Sequence, residues 1–199
     1  MIEPQLENIN DKNDNMIKAT NKICNSQAQW TDYYNSSYKQ CNRGHLFPSF
    51  YGSSSDERSS TFTLTNIVPQ NEDFNGGSWK KMEHCVKCIL DKYCNNKEGF
   101  VVIRAQPSSG NLLKNKINIP SKLWSAFCCK SDSEKKWLAG AYWGDNKAGI
   151  TMDLKPLKEL HKDMGKNFEV FPGGLCPPDT HLYSKLDPSC SCPKSKKGI

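Results

Sequence analysis

The chain has 199 residues, 36% of them hydrophobic and 24% charged, with a formal net charge of +6. That length supports one sizeable core rather than two domains, and no apolar run approaches the ~20 residues that a membrane-spanning helix needs. The positive balance suits a polyanionic partner without identifying one, because the lysines are scattered. Lys80, Lys81 and Lys87 lie in mid-chain, and Lys194, Lys196 and Lys197 lie in a tail that reads as a solvated end.

Taken in chain order, residues 1–15 have neither a basic start nor an apolar centre. A leader is therefore expected to have been removed, or the chain to start inside a longer precursor. Residues 3–23 are polar and end in an expected short helix. Asn35-Ser36-Ser37 is a sequon, which makes Asn35 a candidate glycosylation site. Asn42-Arg43-Gly44-His45 reads as a brief strand with a turn at Pro48, and residues 52–60 as a surface loop. Residues 61–68 alternate Phe62 and Leu64 with threonines, a half-buried strand pattern that Pro69 closes.

From about Asp73 to Tyr93 the apolar residues Phe74, Met82, Val86, Ile89, Leu90 and Tyr93 recur at helical spacing. Gly76-Gly77 in the first turn disfavours the helix by about 1 kcal/mol per glycine. The pair suggests that something approaches the backbone closely there. Residues 99–107 read as a central strand, 116–129 as a strand turning at Pro120, 137–143 as another strand, and 153–165 as a short amphipathic helix ending at Gly165. Residues 171–199 are rich in Pro and Gly. The expected architecture is one mixed α/β (α+β) domain over 1–199.

The ten cysteines are Cys24, Cys41, Cys85, Cys88, Cys94, Cys128, Cys129, Cys176, Cys190 and Cys192. An even number at this density points to a disulfide framework and an oxidising, extracellular location. Adjacent Cys128 and Cys129 should take different partners, since a bridge between neighbours is strained. The rival reading is zinc, with Cys85 and Cys88 as one half-site and Cys190 and Cys192 as the other. Against it, a Cys-x-Cys in a Lys/Pro-rich tail makes a poor knuckle.

Three segments carry chemistry: Asn42-Arg43-Gly44-His45, then Asn66-Ile67-Val68-Pro69-Gln70, then Asn75 followed by Trp79 and Glu83. Singly each has a bland explanation: a surface histidine, an asparagine capping a helix, a core tryptophan, a solvated glutamate. In helical geometry, however, Asn75, Trp79, Glu83 and Lys87 follow one another at four-residue steps and form one drifting stripe. An amide, a carboxylate and a lysine along one stripe suit a metal and a phosphate better than a core.

In this order and spacing the segments resemble the DNA/RNA non-specific endonuclease family. Its motifs run Asp-Arg-Gly-His, Asn-x-x-Pro-Gln and Asn-x-x-x-Trp-x-x-x-Glu. The text at residues 3–6, 61–66 and 117–129 is similar to the vertebrate secreted, endonuclease domain-containing 1-like branch, and the resemblance runs from about residue 3 to about 176. It implies a ββα-metal (His-Me) finger fold, with a mainly antiparallel sheet flanked by helices. It implies a secreted, sugar-non-specific endonuclease that cuts phosphodiesters of DNA and RNA to 5′-phosphate ends.

On that resemblance His45 matches the general base and Asn75 the direct ligand of Mg²⁺, or of Mn²⁺ or Ca²⁺ at the same site. Glu83 matches a carboxylate holding metal-bound waters. Arg43 matches a phosphate-contacting residue and Asn66 a supporting residue; Lys87, placed by its position on the helical stripe, is expected as a further substrate contact. The expected partner is the nucleic-acid backbone rather than a membrane.

Three departures open a second reading, a nuclease-derived scaffold or binding protein with reduced or lost catalysis. Asn42 stands where the motif has Asp. Ile103-Arg104-Ala105 stands where the strand after the helix ends in Thr-Gly. The family's N-terminal strands are expected to be missing, trimmed or supplied by a second fragment of the same precursor.

Overall fold

The structure is a computed structural model that describes residues 3, 6, 27–33, 41–165, 168–180 and 186–193. The expected helix within 3–23, the Asn35 sequon, Cys24 and the lysine tail fall outside the described residues. A one-turn helix α1 (Trp30–Tyr33) precedes strand β1 (Cys41–His45). Helix α2 (Ser55–Ser60) and strand β2 (Ile67–Asn71) follow, then the long helix α3 (Lys80–Tyr93). Next come β3 (Phe100–Gln106), the short pair β4 (Leu112–Leu113) and β5 (Ile117–Asn118), β6 (Lys122–Ser131), β7 (Lys136–Asp145) and α4 (Leu157–Met164).

The centre is an antiparallel sheet in the order β3-β6-β7. Alternation along β6 and β7 sends Leu123, Phe127, Leu138 and Tyr142 to one face and Trp124, Ala126, Ala139 and Ala141 to the other. Helix α3 covers the first face with Met82, Val86 and Ile89, all fully buried. Helix α4 covers the second with Leu157 and Leu160. The result is a three-layer sandwich, helix on sheet on helix.

Strands β1 and β2 form a separate antiparallel ribbon, with Arg43 opposite Pro69, Gly44 opposite Val68 and His45 opposite Ile67. Asn146, just past β7, fastens this ribbon to the sheet. Its Nδ2 donates to the carbonyls of Pro69 and Pro120 at 3.0 Å, and its Oδ1 accepts from the Asn71 amide at 2.8 Å.

Several elements differ from the sequence expectation. Residues 52–60 are not wholly loop. Ser54 and Glu57 form a reciprocal capping box that starts α2. Residues 61–68 are not a strand closed by Pro69. A 3₁₀ turn, Leu64–Asn66, leads into β2, and Pro69 sits inside that strand. Proline fits because the ribbon has only two strands, so its missing N–H interrupts no central ladder. The strand at 99–107 is an edge rather than central, since among the described residues β3 pairs with β6 alone.

Among the described residues, four disulfides join Cys85 to Cys192, Cys88 to Cys190, Cys94 to Cys129 and Cys128 to Cys176. The four cysteines of the zinc alternative therefore do meet, as two bridges between α3 and the C-terminal segment. Neighbouring Cys128 and Cys129 take different partners and staple opposite faces of β6, one to the segment beyond α4 and one to the end of α3. Cys41 is buried in β1. No helix among the described residues is long and apolar enough to cross a membrane.

Candidate nuclease site

The ββα unit brings the motif residues together. Strand β1 ends at His45, β2 returns beside it, and the chain enters the helix through a π-turn, Phe74–Trp79, that runs into α3. A π-turn is wider than an α-turn and changes the angular phase of the residues after it. The four-residue stripe divides by burial. Trp79 is fully buried in the core, whereas Asn75 and Glu83 line a cleft of about 300 Å³ with His45, Gly76, Lys80 and His84. Apart from their own helix, no atom of the described residues would lie within 4 Å of a Cβ at Gly76 or Gly77. Gly76 instead leaves bare backbone on the cleft wall.

Each polar group in the cleft has an identifiable support. Asn75 Nδ2 donates to Asn42 Oδ1 at 2.8 Å, which fixes the amide and leaves Asn75 Oδ1 without a protein partner among the described residues. The Asn66 side chain clamps the turn after His45. It accepts from the Phe47 amide at 2.9 Å and donates to the carbonyls of Phe47 and Thr61 at 3.0 Å. Gly44 lies over the fully buried Gln70. A Cβ on residue 44 would come within 2.2 Å of the Gln70 side chain, so a close approach requires glycine here. Tyr51 donates its hydroxyl to the Glu83 carbonyl at 3.1 Å, fastening the cleft's outer loop to α3.

The electrostatics follow from burial. His45 is half-buried, and its Nε2 is enclosed without a hydrogen-bond partner among the described residues. Burial, helped by the Arg43 charge, pushes its pKa below the ordinary histidine value, so the ring is neutral at physiological pH. Glu83 is 8% exposed, and burial raises its carboxyl to about 8, partly offset by the Trp79 indole N–H and the Lys80 charge. Asn75 Oδ1 and the Glu83 carboxylate are hard oxygen donors, few in number. Such a set fits a cation that keeps most of its own waters. Among the described residues no group of three or more His, Cys, Asp or Glu side chains forms a closed metal cage.

Two sequence-derived contacts lie apart. Arg43 is exposed, outside the cleft wall, with its guanidinium 3.8 Å above the Trp30 ring. Lys87 pairs with Asp91 at 2.6 Å and does not line the cleft. The residues that sequence reasoning missed are Lys80 and His84, which reach the cleft at four-residue steps from Gly76, and Phe50, which stacks on His84 at 4.7 Å.

Comparison with known proteins identifies the family. The family model for DNA/RNA non-specific endonucleases matches residues 5–173. Human endonuclease domain-containing 1 protein is 27% identical over 197 residues, covering 94% of this chain but 37% of the relative. Zebrafish mitochondrial nuclease EXOG is 36% identical over 92 residues, covering 46% of this chain and 23% of the relative. This chain thus spans well under half the length of these relatives. A chain in the crystal structure of an EndoG/EndoGI complex superposes with a TM-score of 0.55 at 18% identity, over 71% of this chain and 62% of that one, a likeness of fold. The chain belongs to the DNA/RNA non-specific endonuclease family.

Proposed function

We propose that this chain is a secreted, divalent-cation-dependent nuclease domain that hydrolyses phosphodiester bonds of DNA and RNA without reading base sequence. The observation that carries the reading is the convergence in one cleft of a neutral His45, an Asn75 side-chain amide that donates to Asn42 and keeps its oxygen free, and the buried Glu83. The four disulfides support an oxidising, extracellular setting.

Asn75 Oδ1 and, through water, Glu83 are the groups that would hold the cation. When bound, Mg²⁺ supplies neutralisation of the charge that develops on the phosphate and the leaving 3′-oxygen. His45 Nδ1 takes a proton from a water molecule as that water attacks phosphorus. The P–O3′ bond breaks, the 3′-oxygen takes a proton from solvent, and the products carry a 5′-phosphate and a 3′-hydroxyl. Arg43 and Lys80, both exposed, hold phosphate oxygens on either side of the reacting group. Binding through backbone charges makes affinity fall steeply with salt and vary little with sequence.

Asn42, the departure that motivated the scaffold alternative, accepts the hydrogen bond that orients Asn75. It differs from aspartate in one respect. An amide can turn over and donate to Asn75 Oδ1, withdrawing that oxygen from the cation, whereas a carboxylate can only accept. The test is plasmid cleavage over a Mg²⁺ series, with EDTA as the control. Wild type should cleave only with the cation, Asn42→Asp should cleave faster at limiting Mg²⁺, and Asn75→Ala should recover partly at high Mg²⁺. Equal rates for wild type and Asn75→Ala at every Mg²⁺ concentration would return the scaffold reading.

A further inference from the structure

Four large aromatic side chains stand exposed among the described residues: Trp30 at 54%, Phe47 at 42%, Phe62 at 57% and Phe100 at 62%. A single exposed ring needs no explanation, because much of any protein surface is apolar. Here one of the four touches the histidine of the cleft and a second touches Arg43, two residues before it in the same strand. The Phe62 and His45 rings meet edge to face, with centroids 4.6 Å apart. Trp30 lies beneath the Arg43 guanidinium, 3.8 Å from its ring centre. Phe47, two residues past His45, is held at its backbone N–H and C=O by Asn66 and leans edge-on against Tyr51. The exposed apolar surface near the site is thus rigid, aromatic, and adjacent to the groups that meet phosphate.

We propose that Phe62 and Trp30 are base-stacking platforms, and that the preferred substrate is unpaired DNA or RNA rather than duplex. The proposal rests on the nuclease reading of the cleft. A phosphate beside His45 brings an attached nucleoside within reach of Phe62, and a phosphate on Arg43 brings one within reach of Trp30. In a duplex both faces of every base are covered by neighbouring bases, so only an unpaired nucleotide can offer a face to a ring. Stacking of this kind tolerates any base, since each has a π-face, and is compatible with sequence-independent cutting. The Arg43 charge above Trp30 adds to the attraction for a strand whose phosphates and bases alternate. The platform selects the strandedness of the substrate, while the phosphate contacts supply the affinity common to all substrates.

The experiment uses the full chain and a phosphorothioate single strand, its matched duplex, and an abasic strand of equal length. Binding is read by fluorescence anisotropy in EDTA. Cleavage of the unmodified strands is read in Mg²⁺. Wild type should bind and cleave the single strand at least about tenfold better than the duplex. Phe62→Leu and Trp30→Leu should each weaken single-strand binding about five- to tenfold and leave duplex and abasic binding unchanged, whereas Phe62→Tyr and Trp30→Phe should retain the preference. Equal losses on all three strands would overturn the proposal. So would a Phe62→Leu effect confined to the pH profile of cleavage, because Phe62 would then serve only to position His45. Ring-dependent single-strand binding without cleavage would defeat the nuclease reading and leave the platform standing. Cleavage without ring dependence would do the reverse.

Discussion

Asn75 sits near the start of the helical segment that runs from Phe74 to Tyr93 and Glu83 at its middle, while Cys85, Cys88 and, one residue past its end, Cys94 occupy the second half. The two ends are held by different means. The cleft end contains a π-turn, two glycines, an enclosed His45 Nε2 and a carboxyl buried at 8% exposure, held by single hydrogen bonds such as the one from Asn75 to Asn42. The far end is bridged covalently to the C-terminal segment and to β6. Polar groups held away from water and from ideal partners destabilise a fold, and functional sites are where they persist. The disulfides give the helix a fixed base from which the cleft end can tolerate that disadvantage.

The largest expected effect breaks the cleft end chemically and leaves the fold alone. His45→Ala should lower cleavage by about 10²–10⁴-fold, while duplex binding and the melting temperature stay close to wild type. Unlike Asn75→Ala, it should not recover at high Mg²⁺, because the missing function is a proton acceptor. A His45→Ala protein that cleaves like wild type would remove His45 from the mechanism.

Breaking the far end should do the opposite. The Cys85–Cys192 and Cys88–Cys190 bridges close loops of 107 and 102 residues. Because the loops nearly coincide, removing one bridge leaves the other to constrain almost the same chain. Replacing one pair by serine should therefore change stability little, and replacing both should cost about 4 kcal/mol. Urea unfolding measures both quantities. Cleavage rates at low temperature should barely move, and stoichiometric zinc in the wild-type protein would contradict the bridges altogether.

A subtler break concerns Glu83, whose carboxyl is raised from the ordinary value to about 8 by burial. A group with a raised folded pKa contributes stability that is complete below its unfolded pKa and lost as pH rises through the folded one. Between about pH 4.5 and 8, wild type progressively loses that contribution. Glu83→Gln keeps the neutral shape and avoids the loss. Without added cation the variant should be more stable than wild type by roughly 3 kcal/mol at neutral pH, and no more stable near pH 4. Its cleavage should nonetheless fall. A variant less stable than wild type at neutral pH would show that Glu83 is not held against its ionisation.

The contrast also marks what could be read from the chain beforehand. The ordered triplet of motifs located His45, Asn75 and Glu83, and the density of cysteines indicated the bridges, because both depend on spacing along the chain. The π-turn was not legible, since a 3.6-residue period is assumed when a stripe is drawn, and Trp79, at the end of that turn, is fully buried. Residues 61–66 alternate like a strand, but the turn there closes on the side chain of Asn66, which bonds the Thr61 carbonyl within the turn and, through two further contacts, Phe47 in a loop nineteen residues away. Asn42 read as a deficit in the motif because its partner, Asn75, is 33 residues distant and only the ribbon brings them together. Lys87 was assigned by helical spacing alone, and a nearer carboxylate, Asp91, holds it. Ser54-x-x-Glu57 was legible as a helix start and was overridden by the loop-like composition around it.

The smallest expected effect separates the two causes that act on His45. Its pKa is lowered first by burial and second by the Arg43 charge. The base works only when neutral, so cleavage is lost as pH falls through this lowered value, and the acid limb of kcat/KM reports it. Arg43→Met removes the second cause and keeps the first. The acid limb should move up and stop short of the ordinary histidine value. Arg43→Lys restores the charge without the planar group stacked on Trp30. It should return the limb to its wild-type position, while single-strand binding remains weakened. If Arg43→Met leaves the limb where it was, burial alone tunes His45, and Arg43 acts on the substrate only. If the limb rises all the way to that of an exposed histidine, the enclosure of Nε2 contributes nothing, and the cleft end is governed by surface charge rather than by desolvation.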